Sequence, residues 1–151
     1  MRAVTALLVV QLVLVGLLAG EEFIVRWGVG PALRALPDEA HLRARIALVR
    51  SLRIVVPALM LPAVLVTVAA LVVGGRGEGL GWAIAGSAAL VLFVVASFTG
   101  TVPINIRVND WDPQHPPADW RRVVTRWERI DTLRSSAAVL AFVLSVVAVV
   151  V

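Results

Sequence analysis

Four long stretches of this chain carry no charge at all: Ala3 to Gly20, Ile54 to Val73, Gly79 to Ile106 and Ser135 to Val151. Each approaches or exceeds the ~20 residues with which an α-helix crosses ~30 Å of hydrocarbon, and each avoids the ~2.5 to 3.5 kcal/mol or more that a charge costs at the bilayer centre. In hydrocarbon every backbone N–H and C=O must be satisfied inside the protein, so segments of this length must be helical. The expected fold is all-α: an integral membrane four-helix bundle of two hairpins, with residues 1–151 forming a single four-span domain.

The intervening segments, Glu21 to Arg53 and Arg107 to Arg134, are too short and too charge-studded to bury a core of their own. There is no cysteine, which excludes thiol nucleophiles, disulfides, iron–sulfur clusters and CxxC metal sites. All the basic residues are arginine, a bias that together with the Ala and Val excess fits a GC-rich genome. The net charge of +4 raises the question of nucleic acid. The arginines, however, flank the apolar spans instead of forming one solvated patch interleaved with stacking aromatics, so no nucleic-acid partner is expected.

Their distribution speaks to topology instead. Arg26, Arg34, Arg43, Arg45, Arg50 and Arg53 lie between spans one and two, and Arg107, Arg121, Arg122, Arg126, Arg129 and Arg134 between three and four; the opposite side holds only Arg2 and Arg76. The positive-inside bias predicts a multi-pass protein of the cell membrane with both long connectors in the cytoplasm and both termini outside. A cleavable signal peptide ending near Ala19 and Gly20 is the competing reading of the first span. Its apolar run exceeds the usual ~7 to 15 residues, and Glu21 to Trp27 continues in helical register with it.

GGRGEGLG, from Gly74 to Gly81, can only be a tight turn, which makes spans two and three an antiparallel hairpin. Helix two is predicted to start near Pro37 and Asp38 and helix four near Trp120, after HPPAD; both would protrude beyond the bilayer into the cytoplasm. GVGP, from Gly28, reads as a turn. Pro57 and Pro62 fall inside the second span, where kinks are expected. Aligning IALVRSLR (from Ile46) with WERIDTLR (from Trp127) suggests two related hairpins and places Arg50 opposite Asp131 as an ion pair.

At about 100° per residue, Trp120, Val124, Trp127, Asp131 and Arg134 share one face of helix four, opposite Arg122, Arg126 and Arg129. Gln11, Val15, Leu18, Glu22 and Arg26 share a stripe of helix one, with Glu21 rotated away. Ser87, Ser97, Thr101 and Asn105 share an arc of helix three if that helix persists through Pro103. Polar stripes facing lipid would be costly, so these should meet inside the bundle. Small residues at four-residue spacing, Gly81, Ala85 and Ala89 with Ala137, Ala141 and Ser145, would let helices three and four approach closely.

The expected inward cluster is therefore Glu22, Arg26, Arg50, Arg53, Asn105, Trp127, Asp131 and Arg134. It reads either as buried ion pairs that fix helix register, with interfacial tryptophans, or as a functional site. Trp27 and Trp82 read as belt residues at opposite faces. His41 and His115 read as surface residues rather than as half a metal site.

GEEF from Gly20, PAL from Pro31, PIN from Pro103 and the WxxxDxxR run from Trp127 to Arg134, set in four spans at this spacing, resemble the anthrone oxygenase-like membrane family. The resemblance implies oxidation of a polycyclic aromatic anthrone to a quinone by dioxygen, the reaction of the family's polyketide-pathway members, with no cofactor and no metal. In that reading Asp131 or Glu22 takes a proton and Arg134 and Arg53 stabilise the developing oxyanion. Asn105 orients the substrate, Trp127 stacks on it, and Arg26 and Arg50 complete the substrate-binding set. The expected partners are the lipid bilayer, a small aromatic substrate and dioxygen, with oligomerisation left open. Two other classes compete: a small oligomeric transporter or efflux component, and a structural membrane subunit. The deepest polar side chain, Gln11, is neutral, which counts against transport.

Overall fold

A computed structural model describes residues 2–74 and 77–151. It consists of four long helices and, among the described residues, no strand: α1 (Arg2–Arg34), α2 (Asp38–Gly74), α3 (Leu80–Asn109) and α4 (Trp120–Val150). All four are long and apolar enough to cross a membrane, and their faces away from the bundle axis carry exposed Val, Leu, Ile and Phe. An outward apolar surface of that extent is stable in lipid rather than in water. The chain is a multi-pass membrane protein built as a four-helix bundle.

The start of α2 at Asp38, directly after Pro37, and of α4 at Trp120 match the sequence expectation. Pro57 and Pro62 stay within an uninterrupted α2. Gly77 adopts a φ of 113°, open to glycine alone without strain, and Leu80 N–H closes the turn onto the Gly77 carbonyl. The rest of the expected GGRGEGLG turn includes Gly75 and Arg76, which lie outside the described residues.

The GVGP expectation is overturned. Gly28, Val29, Gly30 and Pro31 lie inside α1, which runs on to Arg34 by passing through a five-residue π-helical segment, Val25–Val29. α3 does the same through Ser97–Thr101. The two π turns share a cause. Pro31 and Pro103 each stand two residues beyond one, and a proline ring crowds the carbonyl four positions back, here Trp27 and Thr99. Widening the turn by one residue relieves the crowding, and the next donors reach five residues back, Gly30 N–H to Val25 C=O and Val102 N–H to Ser97 C=O.

Packing is most extensive between α3 and α4, then between α1 and its neighbours α2 and α4; of the adjacent pairs, α2 and α3 touch least. The tight α3–α4 seam does use small residues, although not all of those expected. Ala89, Ala137, Ala141 and Ser145 are buried, but Gly81 and Ala85 face outward. Gly86 takes their place: a Cβ there would stand 3.3 Å from the Ala141 carbonyl oxygen, Leu144 Cβ and Ser145 Oγ. The apolar core has two parts. One is centred on Leu18, Ala63, Phe93 and Ala138, and the other lies towards the connectors around Leu42, Val49, Val108 and Trp127.

Candidate functional site

The site lies between these two core regions and draws on all four helices. On α1 the stripe Gln11, Val15, Leu18, Glu22 is buried as expected, and Glu22 retains only 2% of its exposure. On α4, Val124, Trp127, Asp131 and Arg134 are buried, while Arg122, Arg126 and Arg129 face outward. On α3 the π turn has a geometric effect. Each residue of a π turn rotates less than an α residue, which offsets the drift of a four-residue spacing. Ser97, Thr101 and Asn105 thus stay in one row and all border the site.

Arg134 is the hub. Its Nη2 donates to Glu22 Oε1 at 2.6 Å, its Nη1 to Asp131 Oδ1 at 3.4 Å and its Nε to Ser97 Oγ at 2.9 Å, and the guanidinium lies 5.1 Å from the centre of the Phe93 ring. One cation therefore ties α1 and α3 to α4. Charges so removed from water are tolerable only when paired in this way, and removal of either partner leaves an uncompensated buried charge. The acids outnumber that cation: Glu22 Oε2 and Glu21 Oε2 are buried with no hydrogen-bond partner. Trp127 Nε1 donates to Asn105 Oδ1 at 2.9 Å, fixing an indole wall beside these carboxyls.

These groups border a cavity of about 510 Å³. That is within the ~300 to 1,000 Å³ of ligand sites, and like them it is mainly apolar with a few convergent polar groups. Of the residues singled out from sequence, Glu22, Arg53, Asn105, Trp127, Asp131 and Arg134 all line it. Arg50 and Arg26 do not. Arg50 is not opposite Asp131 but donates through Nε to Asn109 Oδ1 at 3.1 Å and through Nη2 to the Asn109 carbonyl at 3.3 Å, and Asp131 takes Arg134 instead. Arg26 lies in the α1–α4 groove. There Nη1 donates to Ser135 Oγ at 3.1 Å, Ser136 Oγ at 2.9 Å and the Thr132 carbonyl at 3.3 Å.

Three placements escaped the sequence reading. Glu21, expected to face away, borders the cavity beside Glu22, because the cavity is wide enough to be reached from two adjacent helical positions. Arg45 is buried to 2% exposure and stacks 5.0 Å from the Trp127 ring centre, with Glu128 3.3 Å from its Nη2. His41 is buried too, accepting from Arg45 Nε at 3.2 Å and meeting Trp120 edge-on. The signal was present in the apolar stripe of Leu42, Ile46 and Val49, which His41 and Arg45 flank on the same face. His115, by contrast, is exposed and pairs with Asp112 at 2.9 Å, which holds the Asp112 carboxyl below its ordinary range.

A family model described as anthrone oxygenase matches residues 47–144. The chain belongs to the anthrone oxygenase family. Neither the curated proteins nor the solved structures gave a match. Within this anthrone oxygenase family member the matched span covers Arg53, Asn105, Trp127, Asp131 and Arg134, hence most of the cavity wall, while Glu21 and Glu22 lie before it.

Proposed function

We propose that this protein oxidises a small, hydrophobic polycyclic aromatic of the anthrone type to the corresponding quinone with dioxygen, using no cofactor. The observation that carries the proposal is the cavity itself, in which carboxyl oxygens without protein partners stand beside a buried guanidinium and an indole wall. The substrate's reacting methylene, flanked by two aryl rings and conjugated to a carbonyl, is acidic. Its proton passes to Glu22 or Asp131, and the negative charge delocalises onto the carbonyl oxygen, where Arg134 and Arg53 stabilise it. Dioxygen takes up the electrons, a carbon–oxygen bond forms at the methylene carbon, and protonation gives a hydroperoxide. Loss of the second methylene proton then cleaves the oxygen–oxygen bond, leaving a carbonyl on carbon and releasing the other oxygen as water. The four-electron oxidation of the methylene thus balances the four-electron reduction of one dioxygen.

Trp127, its ring set by the bond to Asn105, supplies the stacking face. An open, partly polar cavity also weighs against a purely structural subunit, for which a filled interior is expected. The test is anthrone-dependent oxygen uptake with quinone formation in lipid nanodiscs. Glu22→Gln and Asp131→Asn together should lower the rate by at least ~10²-fold, the lower range of general-base contributions. An unchanged rate refutes the assignment.

We further propose the orientation in which the connectors at 35–37 and 110–119 face the cytoplasm and both termini lie outside, on the strength of the arginine asymmetry.

A further inference from the structure

The cavity has a property that the chemistry alone does not demand: it is open sideways. Its wall between α2 and α3 is made by Val56 and Pro57 on one helix and Phe98, Val102 and Ile106 on the other, at the least packed of the adjacent helix pairs. Phe98 is 56% exposed and Ile106 65%, so side chains that border the cavity also present apolar surface outward. All five belong to the uncharged stretches, which sets this opening at the depth of lipid hydrocarbon. On the connector side the picture reverses. There Arg50 clasps the side chain and carbonyl of Asn109, which itself borders the cavity, and ties α2 to α3 at the connector end, where the exposed Asp110 also lines it. Arg53, one turn nearer the opening, lines the cavity, is exposed and takes part in no hydrogen bond or ion pair among the described residues.

We infer that the substrate reaches the cavity from within the bilayer, through a lateral opening between α2 and α3, with Arg53 receiving its polar edge and the Arg50–Asn109 clasp bracing the two helices at the connector end. A polycyclic aromatic concentrates in hydrocarbon by the hydrophobic effect, so a lipid-level opening meets it where it is dissolved. The inference rests on the functional proposal for the identity of the substrate; the route is read out separately.

The absence of cysteine makes single-cysteine variants clean. Val102→Cys, at the opening, and Leu140→Cys, exposed on α4 away from it, would be capped with a pyrenyl maleimide in nanodiscs. A lipid-soluble trifluoromethyl-phenyldiazirine would then be photolysed and the labelled peptides mapped. Uncapped protein should be labelled at the buried cavity residues Met60 and Trp127. The cap at position 102 should reduce that interior labelling about fivefold or more, since a probe dissolved in hydrocarbon meets the cavity at this opening, whereas the cap at 140 should not. Phe98→Cys with the same cap repeats the test in a second background, with helix content checked by circular dichroism. Equal interior labelling with caps at 98, 102 and 140 overturns the inference. So does labelling of the unmodified interior by a membrane-impermeant sulfonated aryl azide as strong as that by the lipid-soluble probe. Labelling that follows the opening in a protein inactive on anthrone keeps the route and removes the chemistry; an active protein that ignores the α2–α3 caps does the reverse.

Discussion

Arg134→Met is the substitution with the clearest consequence. It removes the cation that holds Glu22 at 2.6 Å and Asp131 at 3.4 Å, leaving two carboxyls in a site from which water is largely excluded. Breaking a buried pair from one side costs about 3 to 5 kcal/mol, so the folded-to-unfolded ratio should fall by roughly two to three and a half decades. Glu22→Gln should cost less, about 1 to 3 kcal/mol, because Asp131 still faces the guanidinium. Replacing the whole cluster with apolar residues, Glu22→Leu, Asp131→Leu and Arg134→Met together, removes the buried ion pairs outright and should give a protein more stable than Arg134→Met alone. Equilibrium unfolding in mixed micelles, followed by circular dichroism, measures all three, and the Glu22–Arg134 double-mutant cycle isolates their coupling. If Arg134→Met alone costs under about 1 kcal/mol, or if the triple variant is no more stable than the single one, the three groups are not one charge-balanced unit.

Other expectations are more local. Gly86→Leu should destabilise by about 1 to 3 kcal/mol through overpacking of the α3–α4 seam, whereas Gly81→Ala, with no neighbour within 4 Å, should be close to neutral in the same unfolding assay. Trp127→Phe keeps a stacking ring but loses the 2.9 Å bond to Asn105. A loss of about 0.5 to 1.5 kcal/mol in transition-state positioning would lower kcat/KM for anthrone oxidation by up to about tenfold, and an unchanged value would separate Trp127 from substrate orientation. For topology, Ala35→Cys should react with an impermeant maleimide only from the cytoplasmic face and Glu78→Cys only from the opposite face; the inverse pattern reverses the proposed orientation.

The spans and the inward face of α4 could be read from sequence because lipid imposes one dominant rule: charge is excluded and polar side chains turn towards one another. That rule placed Glu22, Asn105, Trp127, Asp131 and Arg134 correctly around a common space. It failed where backbone geometry departs from the 3.6-residue period. Gly28 and Gly30 look like turn residues, yet a π turn absorbs Pro31 and keeps the chain helical. It also failed for Arg50 and Arg45. Both lie on the connector-side part of α2, where a guanidinium can face water or stack under an indole at little difference in pattern, and only the packing of Trp127 and Asn109 decides between them.

The two π turns also bear on how such a chain can change over time. A surplus residue at the joint of α1 and of α3 is taken up by the widened turn, so the halves before and after it keep nearly the same relative facing. Loss of one residue there, such as Gly28 or Gly100, would close the joint into an ordinary α turn, and because five π residues turn through about the angle of four α residues, the two halves would keep their relative facing. One-residue insertions and deletions are thus tolerated at these joints with the inner side chains still aimed at the bundle axis and the membrane spans intact.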